Sequence, residues 1–275
     1  MIKTFTENDC EILVSTMNQI SLDFLLQMFP FQHFSNYNIL IINQTKTNKL
    51  SSEFPSVRVI NSLEIGLSKS RNLAIENAIG KILIIADDDI TYQKDFIEKI
   101  IVAHSKLYEA TIVNFCAIKE NGAYLKKYPT DSKLQLNTME ILNVSSIEMT
   151  IKKEKLDSIG IRFDENFGLG SSFEMGEETV FLFDLKRKNQ QIVFENEVIV
   201  AHYGLTSSDK IGSLRRYYIY GGLVKRVLEK SGVFWLMVKM FFDIKQKKMK
   251  INLFFKAIDN FNKGKQKIEA INYEK

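Results

Sequence analysis

The chain has 275 residues, 45% apolar and 11% aromatic, which is enough to bury a large core and excludes a disordered or collagen-like polypeptide. Two cysteines, Cys10 and Cys116, rule out a disulfide framework and a four-thiolate zinc site; with an N-terminus that lacks the features of a secretory signal, they point to a cytoplasmic address. The formal charge of +4 sums two unlike parts: residues 206–275 carry 16 Lys and Arg against 6 Asp and Glu, whereas residues 1–205 carry 21 against 27. In chain order, residues 11–14 read as a first strand running into the polar stretch 15–19, followed by apolar residues at helical spacing over 20–29 that stop at Pro30. Short strands are predicted at 37–42 and 57–60. Ser68 is expected to cap a helix through about Ala78, closed by Gly80. The apolar run after Lys81 suits a strand buried on both faces. Residues 95–107 form an amphipathic helix with Phe96, Ile97, Ile100, Ile101 and Leu107 on its apolar side.

Beyond the apolar stretch 111–117 the pattern is less regular, with a hairpin turn at Asn121-Gly122, a short strand at 149–151, a helix at 177–188 and a late strand at 192–201. Strands alternating with helices indicate an α/β fold with a mostly parallel sheet. No boundary is evident before about residue 205, so a main domain, 1–205, and a basic, helical C-terminal region, 206–275, are expected.

The strongest local feature is KILIIADDDITY, residues 81–92, where Asp87, Asp88 and Asp89 stand at the carboxyl end of a buried strand. Open α/β sheets bind ligands at that edge. Carboxylates this close raise one another's pKa unless a cation or donor compensates. Mg²⁺ or Mn²⁺, held by one or two of them together with diphosphate oxygens, is one compensation; a solvated acidic turn capping the next helix, helped by Thr91, is the other reading. A second cluster lies in residues 163–185, where Gly168, Gly170 and Gly176 permit backbone shapes closed to other residues. Glu177 and Glu178 then open an apolar helix, either as a catalytic base or as acids favoured by the helix dipole. His202 follows a strand and precedes Tyr203-Gly204, so it is a metal ligand or a structural imidazole. His33, among Phe29, Phe31 and Phe34, is expected to be packed, and His104 exposed. The motifs GxxxxGK[ST], GxGxxG after the first strand, GxSxG, HExxH and paired CxxC are absent, which removes P-loop, dinucleotide, serine-hydrolase and zincin readings.

Taken together, the strand ILVSTMNQ, the segment GLSKSRNLAIENAIGKILIIADDD, the FDENFGLG…GEE region and the late His202 resemble glycosyltransferase family 2 over most of residues 11–205. The resemblance implies a GT-A fold for that region and places roles by position. Asp87 and Asp89 become the acids of a DxD motif and, with His202, the metal ligands, Asp89 in the most direct contact; Asp87 and Asp88 also stand nearer the nucleotide. Ser15, Thr16 and Asn18 line the nucleotide pocket, Arg71 faces nucleotide or diphosphate, and Gly170 and Gly176 belong to the substrate loop. Glu178 occupies the place of the catalytic base, with Glu177 beside it touching the acceptor. Two departures stand out: Asn43-Gln44-Thr45 replaces the common Asp-Asp-Gly-Ser, leaving Asn43 to bond a base edge by its amide, and Glu-Glu replaces Glu-Asp at 177–178, leaving either acid eligible as base.

The implied reaction is inverting transfer of a hexose from a nucleotide sugar, a UDP-sugar by preference, to a glycan or lipid-linked glycan, with Mn²⁺ or Mg²⁺. The alternative is a catalytically silent nucleotide-sugar binder or scaffold. In the basic region, Arg215, Arg216, Lys225 and Arg226 surround Tyr217, Tyr218 and Tyr220, and Phe234, Trp235, Met237, Phe241 and Phe242 precede Lys245, Lys247, Lys248 and Lys250. That pairing suits an anionic membrane surface on the inner face of the cell membrane; closing the core, or a homodimer contact, is the competing use. The apolar run 232–244 is too short to span a bilayer, which takes about 20 apolar residues. An acidic body without an RNA-binding motif argues against nucleic acid.

Overall fold

The structure is a computed structural model and describes residues 4–203, 211–228 and 232–273. Its centre is one eight-stranded sheet: β1 (Cys10–Met17), β2 (Ile39–Gln44), β3 (Val57–Ser62), β4 (Ile82–Asp87), β5 (Ile90–Tyr92), β6 (Ile112–Lys119), β7 (Met149–Lys152) and β8 (Ile192–His202), in the order β3-β2-β1-β4-β7-β6-β8-β5. The pairs β3/β2, β2/β1, β1/β4 and β6/β8 are parallel, while β7 runs antiparallel between β4 and β6, and β5 pairs antiparallel with β8. The sheet is therefore mostly parallel, as expected, and the whole is a GT-A fold.

The unbroken apolar run of β4 follows from burial on both faces. Ile82, Ile84 and Ala86 enter one core with Ile12 and Val14 of β1, and Leu83 and Ile85 enter the opposite core with Leu13. The helices α1 (Asp23–Met28), α2 (Leu67–Asn77), α3 (Phe96–Lys106), α4 (Thr138–Ile141), α5 (Lys153–Ile159) and α6 (Glu177–Arg187) flank the sheet. The turn at Asn121-Gly122 is present, closed by the Gly122 amide donating to Lys119 O at 2.9 Å.

Several local expectations are corrected. The first helix covers only 23–28 of the span 20–29. Ser68 does not cap α2; Gly66, at φ 141°, holds that position, and Ser68 Oγ donates instead to Phe167 O at 2.6 Å. Gly80 does not close α2, which ends at Ala78. Gly80 lies where a Cβ would come within 2.5 Å of the Glu11 side chain, whose buried carboxylate accepts from the amides of Ile79 and Gly80 at 2.6 and 2.8 Å. His104 is buried, not exposed: its Nε2 lies 2.8 Å from Thr150 Oγ1, and burial together with Lys152 pushes its pKa down to about 3. His33 is the reverse, exposed with its ring against Phe34 at 4.2 Å. The two cysteines are free and buried, and burial pushes both thiols up to about 12.

The C-terminal region is helical, with α7 (Ser213–Leu228), α8 (Gly232–Lys245) and α9 (Phe254–Tyr273). The expected boundary at 205/206 and the turn at Gly204 lie outside the described residues. Ile219, Leu223 and Val227 of α7 and Ile268 of α9 join the same core as Phe173, Val180 and Phe181, and Arg226 pairs with Asp184 at 2.6 Å and Asp164 at 3.1 Å. Helices α7 and α9 meet backbone to backbone: a Cβ built on Gly221 falls 1.9 Å from Phe261 O, and one on Gly264 falls 1.8 Å from Tyr218 O. Neither obstacle is a movable side chain, so Gly221→Ala or Gly264→Ala should cost about 3 kcal/mol of stability, read as a lower melting temperature; an unchanged melt would mean that the two helices do not touch there.

Candidate active site

The carboxyl ends of β1, β2 and β4 form the floor of the site. Parallel register sets Ser15 beside Asp87 and Thr16 beside Asn43, so the end of β1 and the acidic triplet arrive together. Thr16 Oγ1 donates to Asp88 Oδ2, and Ser70 of α2 donates to Ser15 Oγ at 2.9 Å. Antiparallel pairing of β5 with β8 puts Ile90 opposite His202, which brings the imidazole to the triplet: His202 Nε2 stands 3.6 Å from Asp89 Oδ2. Asp89 remains 58% exposed, at the mouth.

Arg71, on α2, is fully enclosed, and its guanidinium is the hub of the site. One arm donates to Glu177 Oε1 at 2.7 Å; the other donates to Asp87 Oδ1 at 2.9 Å and Ser146 Oγ at 2.8 Å. Burial alone would lower its pKa, but Asp87, Glu177 and Glu178 together hold it above the ordinary arginine value. Burial raises the Asp87 carboxyl, against the pull of Arg71. The sequence pointed Arg71 at the donor and Glu177 at the acceptor; in the structure each is engaged with the other.

Glu178 differs from its neighbour. It begins α6 beside Glu177, yet its buried Oε2 has no hydrogen-bond partner among the described residues. Burial, then repulsion from Glu177, pushes its pKa well above the usual glutamate range. Gly176, just before it, sits at φ 93°, and a Cβ there would press on Leu223 at 3.1 Å, so the turn into α6 depends on both the backbone freedom and the small size of glycine.

Two cavities meet at Glu178. The first, about 600 Å³, is lined by Ser15, Thr16, Arg71, the three aspartates, Gly170, Gly176, both glutamates and His202. The second, about 780 Å³, is lined by Tyr128, Asn137, Met139, Glu148, Tyr220, Trp235 and Lys239 among others, and also by Gly176 and Glu178. Both are within the size range of small-molecule sites. Asn18 and Asn43 stand apart from the first cavity. Asn18 is exposed in a left-handed turn at φ 54°, and Asn43 is buried with its amide spent on Gln19 and Asn61. Gln44 lines the cavity instead, accepting from the Gly66 amide at 2.6 Å. Ser146, Ile147 and Met175 also line it and carry no sequence signal: the first two lie in a single 3-10 turn, Ser146–Glu148, before β7, and Met175 in the loop before α6, neither with a periodic pattern to mark it.

Two outcomes follow from these charges. Arg71→Met leaves Asp87 and Glu177 without their counter-charge and should cost about 3 kcal/mol near neutral pH, with the deficit shrinking as falling pH protonates Asp87, which loses the pull of Arg71; denaturant unfolding across pH checks both. Glu178→Gln should stabilise the protein. A raised folded-state pKa means the native state holds the proton longer than the unfolded chain does, so ionisation weakens the fold as pH rises. The gain of the amide should therefore appear above the ordinary glutamate range and vanish below it, and a gain independent of pH would contradict this electrostatic account.

Comparison with known proteins agrees with the geometry. The model of "Glycosyl transferase family 2" matches residues 12–152. No curated protein matches the sequence. Among solved structures, S. aureus TarS 1-349 superposes over 95% of this chain and 82% of its own with a TM-score of 0.57 at 13% identity. Its complex with UDP-GlcNAc covers 95% and 83% with a TM-score of 0.58 at 14% identity, and its complex with UDP covers 80% and 65% at 0.55 and 14%. With more than half its length matched by the family model, the acidic end of β4 included, the chain belongs to glycosyl transferase family 2 and is a glycosyltransferase.

Proposed function

We propose that the protein transfers a hexose from a nucleotide sugar, a UDP-sugar by preference, to a hydroxyl of a glycan, in one displacement that inverts the anomeric carbon. The observation that carries this reading is Glu178 Oε2, buried and without a hydrogen-bond partner among the described residues, at the junction of two cavities. A sugar hydroxyl is a weak nucleophile and needs a base within reach. A hydroxyl in the larger cavity would give its proton to the Glu178 carboxylate as its oxygen bonds the anomeric carbon, while the carbon–oxygen bond to the diphosphate breaks from the opposite side. The raised pKa suits this role, because a carboxylate whose charged form is disfavoured by burial takes a proton readily. Glu177, tied to Arg71, acts by position: it keeps α6, and so Glu178, fixed against β4.

The nucleotide is assigned to the smaller cavity, with Ser15, Thr16, Asp87 and Asp88 along it; the UDP and UDP-GlcNAc held by the TarS structures favour the uridine form. Among the described residues no three acidic, imidazole or thiol side chains converge as a complete metal site. Asp89 and His202 nevertheless make a carboxylate–imidazole pair 3.6 Å apart at the cavity mouth, and Mg²⁺ or Mn²⁺ is commonly held by one or two protein ligands plus substrate phosphates. The residues therefore fit a divalent ion held by Asp89 and His202, with Asp87 kept for Arg71. Such an ion supplies charge for the departing diphosphate. The acceptor is read as a glycan, free or on a lipid; in the second case the chain works at the inner face of the cell membrane without crossing it, since no helix among the described residues is long and apolar enough to span a bilayer. The division into 1–205 and 206–275 is kept as a description of two regions that share a core.

UDP release from a panel of nucleotide sugars and glycan acceptors, with and without EDTA, tests the reading. Glu178→Gln should lower turnover by about 10² to 10⁴ while keeping UDP affinity. Asp89→Ala should abolish the manganese-dependent part of UDP binding in calorimetry. Turnover that survives Glu178→Gln, or UDP binding indifferent to manganese and to Asp89, would sink the respective assignments.

A further inference from the structure

Helix α8 has two unlike faces. At about 100° per residue, Trp235, Leu236, Lys239, Met240 and Asp243 fall on one side: Leu236, Met240 and Asp243 are buried, and Trp235 and Lys239 line the larger cavity beside Glu178. Phe234, Met237, Val238, Phe241 and Phe242 fall on the other, within an arc of about 140°. All five are exposed, Phe234 by 77% and Phe241 by 62%. Scattered apolar side chains on a surface need no explanation, but a contiguous row of large ones marks a site of contact.

The charges around the row say what kind. Lys245 continues the same arc one turn past Phe241, and Lys247, Lys248 and Lys250 follow directly, all exposed. Ile251 and Phe255 come next in the chain, the latter 81% exposed, with Lys256 beside it. A second copy of the chain would set these lysines against their own counterparts. A nucleic acid would satisfy the lysines and leave the phenylalanines in water. Hydrocarbon beneath an anionic surface satisfies both, with lysine stems lying along the apolar layer and their ammonium groups among the headgroups.

We propose that the outward face of α8, with the adjoining start of α9, docks on an anionic lipid surface, so that the acceptor reaches the Glu178 cavity from the membrane whose contact helix also forms the cavity wall. The second half rests on the transferase reading above; the docking itself does not.

Flotation of the full chain with phosphatidylcholine vesicles, with and without phosphatidylglycerol, tests the docking without reference to catalysis. The chain should float with the anionic vesicles, not the neutral ones, and added salt should weaken the association. Phe234→Ser with Phe241→Ser, and separately Lys245→Gln with Lys247→Gln, Lys248→Gln and Lys250→Gln, should each lower the bound fraction at least about tenfold. Both variants should keep the parent's circular dichroism and UDP affinity. A parent chain that ignores anionic vesicles, or binding that survives both sets of changes, overturns the proposal. So does a parent dimer that the phenylalanine changes dissociate, because the apolar face would then belong to a second copy. Vesicle binding by a protein that transfers no sugar leaves the docking intact and removes the transferase reading; transfer by a protein indifferent to vesicles does the reverse.

Discussion

One buried guanidinium joins the parts of this molecule that the candidate chemistry needs together. Arg71 leaves α2, reaches the end of β4 at Asp87 and the start of α6 at Glu177, and takes Ser146 from the 3-10 turn before β7. These four residues come from distant parts of the chain, and no backbone ladder connects α2 to α6. An arginine suits the position where a lysine would not: its planar fork meets two carboxylates at fixed angles and stays charged when dry. Burying such a group is costly, and its pairing offsets that cost only while both carboxylates stay in place. The cluster therefore specifies the arrangement of the site more than it adds to the stability of the fold.

The same cluster separates two adjacent glutamates that the sequence could not tell apart. In residue type and in helix position Glu177 and Glu178 are near equivalents, and the first turn of a helix favours both. Successive helical residues point about 100° apart, so only one can reach Arg71. The other is left beside a charge of its own sign, facing the junction of two cavities. Ion pairing of one acid thus accompanies a shift in the other: repulsion from Glu177 adds to burial in raising the pKa of Glu178.

What could be read from the sequence, and what could not, divides along physical lines. The strand ends were legible because burial on both faces writes a continuous apolar run, as at 82–86, and because open α/β sheets expose the carboxyl ends of such strands to ligand. The co-location of Asp87, Ser15 and His202 follows from strand register once the sheet order is known. Side-chain partners were not legible. Nothing local says that Asn43 spends its amide on Gln19 and Asn61 while Gln44 turns to the cavity, because the choice is made by contacts across the β1–β2–β3 edge. Ser68 looked like a cap because serine commonly is one, and was overridden by a tertiary partner, Phe167 O. His104 misled for the same reason: its place on an amphipathic helix gave no hint of Thr150 waiting beneath it.

The basic C-terminal helices looked like an appendage by composition, but their contacts tie them to the site. Leu223 of α7 fills the space that a side chain at position 176 would need, so it sits against the left-handed turn from which Glu177 and Glu178 project. Tyr220 of α7 and Trp235 and Lys239 of α8 line the larger cavity, while Gly221 and Gly264 let α7 and α9 close to backbone distance and hold that wall in place. A change in the packing of these helices would reach Glu178 through Leu223 and would alter the wall of the larger cavity directly. The smaller cavity, with the ends of β1 and β4 and with Asp89 and His202 in its lining, has no side chain of α7, α8 or α9 there among the described residues. The two cavities thus draw on different parts of the fold: the smaller is built from strand ends and the loops beside them, whereas the larger adds Tyr220, Leu223, Trp235 and Lys239 from the C-terminal helices, and the two share Met175, Gly176 and Glu178.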